Sequence, residues 1–374
     1  MWIHRTESIL YEQSNISSLL SRGSGDEEEL LPDFLVKLSN SSMKTIRGNR
    51  FKPREVSFFD LSLEDDVHQD PPLVLGNELA ECEPIRIEPT ETRAPVVAVD
   101  VSSVKIGDTD DGMLSALRAV IVWKTNGEYV YLRCGPIMFH ITDHEHKQIS
   151  KRLGLKESLP PSMYSSTSMR ILGRLRNTLE RWTQRLVCKS SRDTIILFDG
   201  SLTAGTPDNP AKHVEGILDS ARENGNVVLA FSKATKLAIA GQRVTDILGQ
   251  MSSPCLIDID HQVVAQFPPS PVKLLGRVYV AKLSFGGFTF RLDIDRQIPV
   301  DGAIDAVSKL SGSDLIEQGY PETLRLAHIL STFTANEIIG IQRYVARNHG
   351  LTITPQLNLR KSLFGPFGTG RESA

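Results

Sequence analysis

A mixed α/β sheet flanked by helices is the fold class this sequence predicts, and three observations carry it. Between Pro95 and Cys134 lie apolar runs rich in β-branched residues, PVVAVDVSSV and AVIVWKTNGEYVYLRC, the second broken by Thr125-Asn126-Gly127. Beyond residue 167, helical periodicity alternates with short apolar runs. A second hairpin and a long amphipathic stretch then close the pattern. Strands first and helix–strand alternation afterwards imply a mixed sheet rather than a purely doubly wound one.

Taken in order, residues 1–90 are the least regular, with the polar stretch NISSLLSRGSGDEEELLPDF and a Pro-containing run from Asp70 to Thr90. They read as an N-terminal extension, and the acidic run Asp26 to Glu29 as a solvated turn or helix start. Residues 91–350 form the main domain and 351–374 a C-terminal tail, of which GPFGTGRESA is mobile. PVVAVDVSSV begins a sheet, and the Asn-Gly dipeptide joins the next two strands as a hairpin. HITDHEH, with His140, Asp143, His144 and His146, reads as a solvated loop whose spacing fits no zinc pattern. Residues 167–189 are an amphipathic helix and TIILFDGSL a fully buried strand. Residues 211–224 are helical, NVVLAFSKAT is another buried strand, and RVTDIL is read as a helix. VYVAKLSF and FTFRLDI pair through Gly286-Gly287. Pro321 then suits the first turn of a helix running from about 321 to 346.

The composition is that of a globular protein: 374 residues, 40% hydrophobic and 23% charged. Cys82, Cys134, Cys188 and Cys255 form no CxxC pair, which excludes a zinc ribbon or a redox dithiol and fits a reducing cytoplasm. No run of 18 apolar residues occurs, and MWIHRTESILYEQ lacks a basic segment followed by an apolar one, so the reading is a soluble cytoplasmic protein. A net charge of −3 argues against nonspecific coating of nucleic acid. A local basic patch does exist, Arg170 to Arg192, with Arg174, Arg176, Arg181 and Arg185 around the single acid Glu180.

Chemistry concentrates at a few acids. Asp100 follows Val96 to Val99, and Asp199 follows Ile195 to Phe198, so each carboxylate ends an apolar strand. Burial there is costly unless a metal or hydrogen bonds compensate. Capping a turn is the plainer role for either residue alone. Glu180 lies outside both the leucine stripe (Leu172, Leu175, Leu179, Leu186) and the arginine stripe of its helix, where it can be a salt-bridge partner or an acid of a phosphate site. Carboxylates among cations suit Mg²⁺ or Mn²⁺ and phosphodiester cleavage. The DxD pairs Asp258/Asp260 and Asp293/Asp295 are followed by Gln262 and Gln297, so turns or strand edges fit them better than a phosphatase. Neither a GxxxxGK[ST] loop nor a GxSxG elbow occurs. In GYPETLRLAHIL, Tyr320 precedes the helix and His328 stands at the border of its apolar stripe.

The ordered series VVAVDVSS, Glu180 on a helix, TIILFDGSL, FSKAT and GYPETLRLAH resembles the NurA nuclease family over roughly residues 95–345. The resemblance implies a ribonuclease H-like core with metal-binding acids at Asp100, Glu180 and Asp199 and a catalytic Tyr320 and His328, of which His328 can also ligate the metal. Val101 departs from the family's usual Gly after the first acid. Lys233 of FSKAT, Arg174 and Arg181 are candidate DNA contacts. The family likeness further implies a Mn²⁺- or Mg²⁺-dependent deoxyribonuclease with 5′ to 3′ exonuclease action on single- and double-stranded DNA and endonuclease action on single strands. It would be a homodimer acting with a HerA-type hexameric ATPase in DNA end resection and recombinational repair, with no membrane involved; the acidic N-terminal region is a candidate docking segment. Two alternatives stand beside this: a catalytically inactive DNA-processing subunit of the same fold, and a ribonuclease on the same core.

Overall fold

In the computed structural model, described residues are 31–56, 73–75, 83–142, 149, 167–206, 209–233, 235, 237–239, 242–243, 254–267 and 272–354. Their centre is a mixed sheet of eleven strands. In chain order these are β1 (Arg50–Pro53), β2 (Ile85–Arg86), β3 (Val96–Thr109), β4 (Gly112–Thr125), β5 (Glu128–Thr142), β6 (Ile195–Asp199), β7 (Val227–Ser232), β8 (Cys255–Asp258), β9 (Gly276–Lys282), β10 (Phe290–Asp295) and β11 (Thr352–Ile353). The helices are α1 (Leu31–Ser42), α2 (Thr167–Ser190), α3 (Ala211–Glu223), α4 (Asp260–Gln266), α5 (Val300–Ser313), α6 (Glu322–Ser331) and α7 (Ala335–His349). None of the described helices is long and apolar enough to cross a membrane.

The expected antiparallel opening is present: β3 pairs with β4 and β4 with β5. Asn126 (φ 52°) and Gly127 (φ 86°) supply the left-handed backbone the tight turn needs. The other edge of β3 is shared. β6 runs parallel to it from Val96↔Ile195 to Val99↔Phe198, and β1 runs antiparallel to its far end from Gly107↔Pro53 to Thr109↔Phe51. Beyond β6 the order continues β7, β10, β9, β8, β2.

Strand alternation divides the interior into two faces. Val96, Ala98, Ile195, Leu197, Leu229 and Phe231 pack with Val307 and Leu310 of α5 and with Leu324 and Ala327 of α6. Val97, Val99, Ile196 and Phe198 pack with Val187 and Cys188 of α2 and with Val214, Ile217 and Leu218 of α3. One face of the sheet therefore carries α5 and α6, the other α2 and α3.

Four expectations are corrected. The single helix from 321 to 346 is two helices: Thr332 leaves the helical conformation (ψ 139°), Phe333 is buried, and Thr334 starts α7 through a reciprocal capping box with Glu337. Pro321 is the residue before α6, in a two-residue strand with Tyr320 that pairs with Ile316–Glu317. His140 belongs to β5, not to a loop; it is fully buried between the hydroxyls of Thr45 and Thr109, at 2.7 Å each, and burial pushes its pKa down to about 4. Asp143, His144 and His146 lie outside the described residues. Arg243 of RVTDIL sits in a short strand, Gln242–Arg243, and the rest of that segment lies outside the described residues. The DxD carboxylates meet arginines or backbone N–H groups: Arg277 at Asp258, Arg296 at Asp260, Arg291 at Asp293 and Arg222 at Asp295.

Candidate metal centre

Asp100 does not end its strand, since β3 runs on to Thr109. It is instead the first residue past the parallel pairing with β6, whose own last residue is Asp199. Where β6 stops, the edge of β3 is released. Both acids fall on even steps from the apolar residues of the α6 side, Asp100 from Val96 and Ala98 and Asp199 from Ile195 and Leu197, so alternation aims them at the same face. Gly200 then turns the chain away with φ 105°, a conformation that costs glycine little, and its N–H donates to Phe231 O.

His328 of α6 closes the group. Its Nδ1 lies 3.2 Å from Asp100 Oδ2 and 3.7 Å from Asp199 Oδ2. One ligand atom from each of Asp100, Asp199 and His328 falls within 4.8 Å of the other two. Two hard carboxylate oxygens and an imidazole nitrogen at one partly buried point form a donor set that fits a divalent cation such as Mn²⁺ or Mg²⁺. The site also recruits positive charge from the protein, since Lys233 Nζ lies 2.7 Å from Asp199 Oδ2.

The two carboxylates are held differently. Burial opposes ionisation of Asp100, but the hydrogen bond and charge of His328, the Ser331 hydroxyl and the Lys233 charge together outweigh it and hold its pKa below the usual value. For Asp199 burial wins, reinforced by the nearby Asp100 charge, and its pKa is raised despite Lys233. A cation shared by both would relieve that repulsion. Ser331 Oγ donates to Asp100 Oδ2 at 2.6 Å and lies 2.9 Å from Ser102 Oγ, so the fully buried end of α6 orients the carboxylate.

Tyr320 stands over the same place. Its ring packs edge-on to Phe231 (5.9 Å between centroids) and against Phe290 (5.1 Å), with Lys233 Nζ 5.6 Å from its centre. Its hydroxyl is buried without a hydrogen-bond partner. Burial and the charges of Asp199 and Asp100 push its pKa well up, so the phenol stays protonated and can donate.

Glu180 is placed differently. It lies on the buried stripe of α2 with Leu172, Arg176 and Gln184, one residue from Leu179, which packs on Val101 on the face opposite α6. Its Oε1 accepts from Gln184 Nε2 at 3.1 Å, and it is not one of the three clustered ligands. Leu186, read as part of the leucine stripe, is half-buried. Arg181 reaches Asn209 Oδ1 and Gln184 Oε1, and Arg174 is half-buried on the same helix. The sequence carries no signal that Ser331 and Ser102 brace the acid, and Lys233, a candidate DNA contact there, lies in the fold beside Asp199.

Residues 95–331 match the NurA domain family. That span takes in both strand acids, Tyr320, His328 and Ser331. The chain belongs to the NurA nuclease family. Among solved structures, the NurA nuclease from Sulfolobus solfataricus is 16% identical, with 71% of this chain and 88% of that one covered at a TM-score of 0.48. A second NurA crystal structure is 10% identical, covering 72% and 92% at 0.38. Endonuclease V from Bacillus subtilis is 13% identical, covering 71% and 89% at 0.32. No curated protein matches the chain. Within the NurA domain, the Val101 that follows Asp100 packs on Leu175 and Leu179 of α2, so its side chain serves the opposite face from the acid.

Proposed function

We propose that this NurA-family chain is a divalent-metal-dependent deoxyribonuclease, and the convergence of Asp100, Asp199 and His328 on one point is the observation that carries the reading. Mn²⁺ or Mg²⁺ held by these residues would supply charge neutralisation at the scissile phosphate and a more acidic water. Hydrolysis forms a P–O bond from water and breaks the P–O bond to the leaving nucleoside oxygen. His328, between the two acids, either completes that ligand set through Nδ1 or, with the ion on the two carboxylates alone, takes the proton that water gives up. Asp100, held ionised by His328 and Ser331, keeps its negative charge at the centre. Tyr320 presents an unsatisfied phenol as donor to a phosphate oxygen, and Lys233 adds positive charge beside it. Glu180 enters as a third acid through the family resemblance alone.

The family likeness also supports the finer reading: 5′ to 3′ exonuclease action on single- and double-stranded DNA, endonuclease action on single strands, a homodimer, and work beside a HerA-type hexameric ATPase in end resection and recombinational repair. The test is cleavage of 5′- and 3′-labelled DNA, and of RNA of the same sequence, with Mn²⁺, Mg²⁺ or EDTA. Metal-dependent DNA cleavage with release from the 5′ end is expected. Asp199→Asn should lower it by roughly a hundredfold or more, at least the loss typical of a metal's supporting residues. Activity that survives EDTA and the substitution would sink the reading; preferential RNA cleavage would move it to a ribonuclease.

A further inference from the structure

The turn between β9 and β10 exposes two aromatic side chains. Phe285 is 74% and Phe288 65% solvent-accessible, the largest exposures among the large apolar residues described. Leaving two phenylalanines in water costs each on the order of 1.5–3 kcal/mol of burial it could have had, so a pair of them in one short turn is a surface with a use.

The turn is fixed beside the site. Gly287 N–H donates to Ser284 O, and Phe288 N–H donates to Gln318 O at 2.8 Å, tying the tip to the turn that delivers Tyr320. The two backbones touch: a Cβ on Gly319 would stand 2.5 Å from Phe288 O, and one on Gly287 would stand 2.7 Å from the Gln318 carbonyl carbon. Glycine at both positions is what permits that approach. From this junction the path to the acids is short. Two residues past Phe288, Phe290 packs on the Tyr320 ring, which lies beside Lys233, the partner of Asp199. Phe288 thus stands two residues along the chain from Phe290.

We propose that Phe285 and Phe288 are a stacking platform for the unpaired bases of a single-stranded DNA end, next to the cleavage site and leading the strand past Tyr320 to the carboxylates. The assignment rests on the nuclease reading. Phenylalanine offers a face to every base without reading sequence, as an enzyme consuming DNA of any sequence requires. A platform braced backbone to backbone holds its rings where a flexible loop would not.

The experiment uses the full chain in EDTA and a single-stranded oligonucleotide carrying 2-aminopurine near its 5′ end, whose fluorescence falls on stacking. The wild-type protein should quench it. The double variant Phe285→Leu/Phe288→Leu should lose the quench and bind roughly five- to a hundredfold more weakly, whereas Phe285→Trp/Phe288→Trp should restore both. Thermal melting of each variant checks the fold, and sedimentation checks assembly. Equal binding and quench by the leucine variant overturn the platform, as does a wild-type protein that cleaves DNA without quenching the probe. A change from dimer to monomer in the leucine variant, with DNA binding intact, overturns it in favour of a contact between two copies of this chain. Phenylalanine-dependent quench in a protein that cleaves no DNA with any ion keeps the platform and overturns the nuclease reading.

Discussion

Ser331 shows how much of the centre rests on residues without chemistry of their own. A single hydroxyl proton is available, and the 2.6 Å contact gives it to Asp100, leaving Ser331 Oγ to accept from Ser102. Ser331→Ala would remove a donor to a buried carboxylate, a cost of about 1–3 kcal/mol. Because the loss falls on the orientation of a ligand, Mn²⁺ affinity should drop by about tenfold, measured by calorimetric titration, with the far-ultraviolet circular dichroism unchanged. An unchanged affinity would mean that Asp100 is positioned by His328 alone. At this scale the sequence was informative about Asp100, Asp199 and His328. A carboxylate closing a run of four apolar residues must find compensation, whatever the fold. Ser331 and Lys233 were not legible as partners of the acids, because a serine in the last turn of a helix and a lysine after a strand are ordinary until the fold brings them to a carboxylate.

Elements were legible where local chemistry decides them. The Asn126-Gly127 turn, the two buried parallel strands and α2 all follow from short-range pattern. The break between α6 and α7 was missed although Thr334-x-x-Glu337 is a capping-box signature, because apolar spacing continues through Phe333 and Ile338. Arg118 of β4 fastens this break. Its fully buried guanidinium donates to both Glu337 oxygens and to the Thr332 carbonyl, and lies 4.2 Å from the centre of the Phe333 ring. Glu337 thus caps α7 and pairs with Arg118 at once, while α6, one residue before the junction, carries Ser331. Arg118→Ala should lower unfolding stability by about 3 kcal/mol, the low end for a broken buried pair because the Glu337 side chain is 29% exposed. In the fraction that remains folded, displacement of α6 should reduce kcat for DNA cleavage more than it raises KM. A urea titration beside steady-state kinetics checks both, and a stability loss without any change in kcat would confine Arg118 to packing.

At the scale of the whole molecule, the N-terminal region cannot be peeled from the sheet. The family match begins at residue 95, yet β1 pairs with both β3 and β11, and β2 pairs with β8. Leu35 and Leu38 of α1 are buried against Leu117, Phe139 and Ile141, and Ile46 and Phe51 are buried against Val104, Ile106 and Leu114. Thr45 supplies one of the two hydroxyls that satisfy the buried His140, and Ser39 Oγ donates to Met138 O. Four fully buried apolar side chains at about 1.5–3 kcal/mol each give on the order of 6–12 kcal/mol, a sum of the same size as the whole stability of a typical domain. A chain beginning at residue 91 would also leave the far end of β3, Gly107 to Thr109, without its partner β1. Such a truncation should therefore fail to fold cooperatively, giving a broad or absent urea transition where the full chain gives a sharp one, and should bind Mn²⁺ no better than the Asp199→Asn variant. A sharp transition at a similar urea midpoint would show that residues 31–56 decorate a core that stands without them.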